Sequence, residues 1–151
     1  MEKEIRENIL LGVGNELNGD DALGCKTAEK ISIAGWTGIN AGTVPENFIA
    51  TIKRKKPGVL IVVDAADMGL NAGEIRRLKT EQADSVFYST HSLPVSQLCE
   101  QLTDSVGEIV LIGVQPKSLE QFASLSSKVK TAVKEIVRLI EEKKWKEIFF
   151  L

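Results

Sequence analysis

The sequence predicts an α/β fold: a three-layer sandwich with a mostly parallel, twisted sheet and helices on both faces. Three observations carry this prediction. Short apolar runs at residues 9–13, 59–63 and 108–114 alternate with longer segments that repeat apolar residues at helical spacing. The run at 59–63 is apolar throughout, as a central strand covered on both faces must be. The run at 9–13 breaks at Gly12, Gly14 and Asn15, residue types suited to a sharp turn into a following helix.

Composition narrows the class. The chain of 151 residues suits one domain, spanning 1–151, that is large enough for a real core. Its net charge of −2 supplies no basic field for nucleic acid or an anionic membrane. No apolar run approaches the roughly 18 residues of a membrane span. The first eight residues are charged and lack a signal-like apolar region, so a cytoplasmic location is expected. Cys25 and Cys99 are too few for a disulfide framework and lack zinc-motif spacing. They are expected to be reduced and partly buried. No repeat, low-complexity segment or linker is evident.

Taken in order, the first strand is expected at 9–13 and the first helix at 21–32, with Leu23, Thr27, Ala28 and Ile31 on one face. Asp20 and Asp21 open that helix, where a carboxylate can accept orphan backbone N–H groups. A weaker strand is expected at 35–40. Thr43-Val-Pro-Glu46 has the pattern of a capping box with proline in the first turn. Its helix should bury Phe48, Ile49 and Ile52 and end in Lys53, Arg54, Lys55 and Lys56, cations that suit a helix C-terminus. After the strand at 59–63, a polar, glycine-containing connection runs from Asp64 to Gly73. Residues 74–78 are expected as an antiparallel edge strand and 81–87 as a short helix. Val95, Leu98, Cys99 and Leu102 fall at i, i+3, i+4 and i+7, a buried helical stripe. A strand follows at 108–114. The last helix is expected at 119–144, with Val129, Val133, Ile136, Val137 and Ile140 on one face.

Strand, glycine turn and helix also open nucleotide-binding units, but the details disfavour one here. Leu17 stands where the dinucleotide fingerprint wants a third glycine, and no Lys-Ser or Lys-Thr of a P-loop follows. Two carboxylates occupy the helix end that would bind phosphate. In open α/β sheets functional groups collect beyond the carboxyl ends of the strands. Asp20 and Asp21 follow the first strand, Asp64 ends the strand at 59–63 with Asp67 beyond it, and His91 lies in the loop before the helix at 95–102. Two carboxylates and an imidazole can contact a divalent transition metal while leaving positions open. Each also has a plainer reading: a helix cap for Asp20 or Asp21, turn satisfaction for Asp64, an ordinary loop histidine for His91.

Gly12-Val-Gly-Asn15 followed by Gly19-Asp-Asp-Ala-Leu-Gly24 resembles the opening motif of the hydrogenase maturation endopeptidases. The resemblance continues through Gly42-Thr-Val-Pro-Glu-Asn47 and Val63-Asp-Ala-Ala-Asp-Met-Gly-Leu-Asn-Ala-Gly-Glu-Ile-Arg76. It extends through Thr90-His-Ser-Leu-Pro94 and Leu111-Ile-Gly-Val-Gln-Pro116, and it looks nearest to the hydrogenase 3-type branch. It implies an aspartic-type endopeptidase that removes a C-terminal peptide from the large-subunit precursor of a nickel–iron hydrogenase. It places the metal-contacting and catalytic positions on Asp21, Asp64 and His91. The metal it implies is nickel already carried by the substrate, with no tightly bound resident cofactor. One histidine and two carboxylates are a sparse permanent site, but they can complete a coordination sphere begun by substrate thiolates. Water activation by a carboxylate and activation by the metal both remain open. A non-catalytic chaperone or checkpoint that binds the metal-loaded subunit is the alternative. The chain is expected to be a monomer. The closing segment, Lys144-Trp-Lys-Glu-Ile-Phe-Phe-Leu151, is apolar, and self-packing is expected to hold it away from the three site residues.

Overall fold

Successive side chains of a strand point to opposite faces, and this alternation divides the core in two. The computed structural model describes residues 6–88 and 93–151. Its strands are β1 (Asn8–Val13), β2 (Trp36–Gly42), β3 (Val59–Ala65), β4 (Ile75–Leu78) and β5 (Glu108–Val114). The helices are α1 (Leu23–Glu29), α2 (Ile49–Lys55), α3 (Thr80–Val86), α4 (Val95–Leu102) and α5 (Ser127–Glu141). Ile9, Leu11, Leu60, Val62 and Leu111 face Ile52 of α2, Ala83 of α3, and Leu98 and Leu102 of α4. Leu10, Ile61, Val63 and Ile112 face Leu23 and Ala28 of α1 and Val129, Val133, Ile136 and Ile140 of α5. The expected three layers follow from this division.

The sheet order is β2-β1-β3-β5-β4. β1, β2, β3 and β5 run parallel, with β3 central, and β4 pairs antiparallel with β5 at one edge, as the sequence predicts. Among the described residues no helix is long and apolar enough to cross a membrane.

Helix α1 touches the sheet backbone. A Cβ added to Gly24 would lie 2.3 Å from the carbonyl oxygens of both Val13 and Val63, and one on Gly12 would lie 2.0 Å from the Gly24 oxygen. Contacts under 3 Å leave no room for a side chain. The two glycines therefore seat α1 across the ends of β1 and β3.

Several element ends differ from expectation. Residues Gly19–Ala22 form a 3-10 turn, so α1 begins at Leu23 rather than at Asp21. It stops at Glu29, short of Ser32, because the amides of Lys30 and Ile31 turn back to the carbonyls of Thr27 and Ala28. Val44, not Thr43, is the N-cap of the next turn, and no side-chain capping bond forms there. Pro45 begins that turn, where its missing N–H costs nothing, and α2 proper starts at Ile49.

The last helix begins at Ser127, not near residue 119. The reason lies across the molecule, at Asp20. Its buried carboxylate accepts hydrogen bonds from the amides of Lys117 (2.8 Å), Ser118 (3.1 Å) and Ser126 (2.7 Å) and from the Ser126 hydroxyl (2.9 Å). These bonds hold residues 117–126 as a loop. At the other end Lys143 takes a left-handed φ of 58°, and the Lys144 amide donates to the Leu139 carbonyl, closing the helix before residue 144.

The last residues pack on their own domain, as expected. Arg77 of β4 donates from its amide to the Phe149 carbonyl, and its own carbonyl accepts from the Leu151 amide. Its guanidinium donates to the carbonyls of Ile148 and Lys146, both at 2.7 Å, and lies 4.1 Å from the Phe150 ring centroid. Trp145 meets Trp36 edge-on at 5.5 Å. The segment therefore covers the exposed edge of β4, a place where unpaired backbone groups would otherwise invite aggregation. Deleting residues 147–151 is expected to cost about 2–4 kcal/mol, from the lost burial of Ile148 and the lost bonds to Arg77. In a thermal melt this is a fall in Tm of roughly 5–10 °C. An unchanged melting temperature would show that the segment contributes nothing to the domain.

Candidate active site

Asp21 and Asp64 lie at the same end of the sheet. Asp21 belongs to the turn that follows β1, and its carboxylate accepts a hydrogen bond from the Asn15 amide at 3.0 Å. Asn15 in turn accepts from the Leu17 amide through its side chain, which shapes the loop that leads back to Asp21. Asp64 is the penultimate residue of β3, inside the strand rather than beyond it. One of its oxygens accepts from the Ala65 amide at 2.8 Å. Both side chains are buried, at 8% and 1% exposure, which is uncommon for carboxylates. The helix that touches both strand ends through Gly24 begins two residues after Asp21, and Asp64 directly follows Val63.

Cys25 of α1 lies at the end of β1, within the field of Asp64. Its thiol lies 3.5 Å from the Gly14 carbonyl oxygen, and burial pushes its pKa up to about 12, helped by the negative charges of Glu16, Asp64 and Glu29. The pKa of Cys99 is likewise pushed up to about 11, by burial and then by Asp84. Both thiols are protonated at neutral pH, so neither is a thiolate nucleophile. The rim near Cys25 is acidic. The Asn40 amide donates to Glu16 at 3.0 Å and to Glu29 at 3.1 Å, tying both carboxylates to the end of β2.

Asp20 and Asp21 are adjacent in sequence and divided in work. Neither is a side-chain cap of its own helix. The four donors on Asp20 make it the anchor of the 117–126 loop. Asp21 instead holds the turn beside the site.

Gln115 is a residue that the sequence reading did not select. Its side-chain oxygen accepts from the amides of Met68 (2.7 Å) and Leu70 (3.3 Å), and its nitrogen approaches Asp67 at 3.4 Å. It orders the connection after β3. The available signal was a polar residue directly after an apolar strand, at the functional end of the sheet. Asp67 is exposed and serves this connection.

His91 lies outside the described residues. The chain preceding it is fixed beside β3: Phe87 bridges Ala66, and the Tyr88 amide donates to the Ala65 carbonyl at 3.0 Å. The Tyr88 hydroxyl has a raised pKa, through burial and the nearby charge of Asp67. Among the described residues no group of three His, Cys, Asp or Glu side chains is arranged to hold a metal ion. The described part of the site is thus an acidic pair with an acidic rim.

Comparison with known proteins connects this arrangement to a chemistry. The family profile described as hydrogenase maturation protease matches residues 23–143, a span that contains Asp64 and His91 and starts two residues after Asp21. The hydrogenase 3 maturation protease of Escherichia coli K12 is 37% identical over 138 residues, covering 89% of this chain and 88% of that protein. The solution structure of an endopeptidase from Escherichia coli superposes with a TM-score of 0.86 at 34% identity, covering 96% of each chain. The crystal structure of a NiFe hydrogenase maturation protease from Thermococcus kodakarensis gives a TM-score of 0.79 at 30% identity, covering 92% of each. With a matching sequence profile, matching fold and acidic strand ends, the chain belongs to the hydrogenase maturation proteases and is a peptidase.

Proposed function

We propose that the protein removes the C-terminal extension of a nickel–iron hydrogenase large-subunit precursor once nickel has been inserted. One observation carries the reading: two buried carboxylates, Asp21 and Asp64, stand at the carboxyl ends of neighbouring parallel strands in a chain of the protease family. Asp21, Asp64 and His91 are the contacts to the nickel, which arrives as part of the substrate. Carboxylates and an imidazole suit a borderline divalent ion whose other ligands are substrate thiolates. The hydrogenase 3-type branch fits the 37% identity to the Escherichia coli relative.

In this reading the site positions more than it binds. The Asn15 amide orients Asp21, and the amide after Asp64 orients Asp64. Contact with the substrate's nickel then sets the scissile peptide beside the two carboxylates, converting recognition into proximity. An ionised carboxylate next to the bond can take a proton from the attacking water. Glu16 and Glu29 add negative charge at the rim, which favours a cationic cargo. The protonated thiol of Cys25 stays out of the chemistry.

Asp21→Asn, Asp64→Asn and His91→Ala should each fold and each lose cleavage of nickel-loaded precursor by about 100-fold or more. Asp20→Asn should behave differently: cleavage persists, and stability falls by about 1–3 kcal/mol because one acceptor oxygen becomes an NH2 group facing the loop donors. Near-normal cleavage in all three site variants would overturn the assignment. A second test is elemental analysis of the purified protein. It should contain neither stoichiometric zinc nor stoichiometric nickel. One tightly held zinc per chain would support a resident metalloprotease site instead.

A further inference from the structure

A groove between α1 and α5 adjoins the acidic site and shares Glu16 with its rim. Its volume is about 370 Å³, and Ala22, Leu125 and Val133 form an apolar floor. Its sides are cationic. Lys26 of α1 and Lys30, the residue that caps its end, flank it on one side, and Lys130 and Lys134, four residues apart on one face of α5, on the other. Glu16 is the carboxylate on the lining, and it is engaged by Asn40. Lys26 pairs with Glu29 at 3.6 Å, both half exposed. Among the described residues no ion pair engages Lys30, Lys130 or Lys134. In a chain of net charge −2 this is a local excess of positive charge. Like charges at this spacing weaken a helix, so an anionic partner relieves a cost already present in the fold.

The groove is continuous with the acidic site. Gly19 and Ala22, which flank Asp20 and Asp21 in the 3-10 turn, both line it. Beyond Ala123, also on the lining, stands Phe122, 76% exposed, beside Leu17, 57% exposed. The Phe122 amide donates to the Leu17 carbonyl at 2.6 Å, and Phe122 takes a left-handed φ of 65°. Such a backbone is uncommon for a bulky residue. The loop that carries it is anchored by Asp20, so the structure holds this apolar lip in place.

We infer that the groove docks an acidic segment of the substrate polypeptide, an apolar side chain resting on its floor, beside the peptide bond to be cut. This rests on the protease reading above. A small anion would use the lysines and leave the apolar floor and lip unexplained. A polypeptide uses both.

The test is the triple variant Lys30→Glu, Lys130→Glu, Lys134→Glu, compared with the unchanged protein on nickel-loaded large-subunit precursor at low and high salt. These lysines are exposed, so the variant should melt near the unchanged protein. KM for the precursor should rise about tenfold while kcat stays within about twofold, because rim charges govern encounter and its salt dependence. KM of the unchanged protein should rise with salt, and the variant should lose that dependence. Equal KM values with equal salt dependence would overturn the proposal. If the variant melts early, the unchanged protein decides alone, and a KM indifferent to salt overturns docking. If neither protein cuts, direct titration with the precursor separates the two readings. Weaker, salt-insensitive binding by the variant sustains docking while the protease reading falls, and equal binding overturns docking. A dimer in sedimentation that the variant abolishes would assign the groove to a second copy of the chain and overturn the proposal.

Discussion

Helix α1 rests on the backbone of the sheet, and much of the candidate site depends on that contact. Ordinary helix–sheet packing keeps side chains between the layers. Here Gly24 meets the carbonyls of Val13 and Val63, and Gly12 meets Gly24, with no side chain between. Gly38 does the same further along the helix, against the Ala28 carbonyl. The close approach shortens the path from the end of β1 to the start of the helix. Asp21 is thereby kept near the strand ends instead of being carried out over solvent. The same contact reaches Val63, whose next residue is Asp64. A methyl group at Gly24 would have to displace backbone on two strands, which a close-packed interior resists.

Burial then does separate work for each polar group. Asp20, at 1% exposure, is compensated by four donors and becomes a structural joint between the α1 turn and the α5 loop. Asp64 shares with Glu16 and Glu29 a region of negative charge around Cys25. Burial, helped by that charge, keeps Cys25 protonated and inert. The same charge makes the region a natural receiver for positive charge, which is the electrostatic basis of the functional reading.

The layers, the central strand, the antiparallel edge and the acidic strand ends were legible in the sequence, because each rests on local periodicity or on residues adjacent to a strand. The long final helix was misjudged at both ends. Its start is set by a carboxylate about a hundred residues away, at Asp20, and no local pattern near residues 117–126 reveals that bond. The Thr43–Glu46 pattern looked like a capping box, yet Val44 takes the cap, since proline at the next position starts the turn without a side-chain acceptor. The distinction between Asp20 and Asp21 came from motif resemblance. The hydrogen bonds now give its physical content, since the two carboxylates hold different parts of the chain. Gln115 and Asn40 escaped notice because each acts on backbone or carboxylates distant in sequence.

Under the proposed function, nickel carried by the substrate would make cleavage a report on metal loading. In that proposal the two carboxylates and the histidine complete the coordination of an ion that substrate thiolates already hold. The most direct measurement presents the purified protein with two forms of one large-subunit precursor, nickel-loaded and nickel-free, and follows the appearance of the shortened chain. The account predicts that the loaded form is cut and the nickel-free form stays intact even with the protease in excess. Equal cleavage of both forms would contradict it, because the site would then be recognising the polypeptide without its metal.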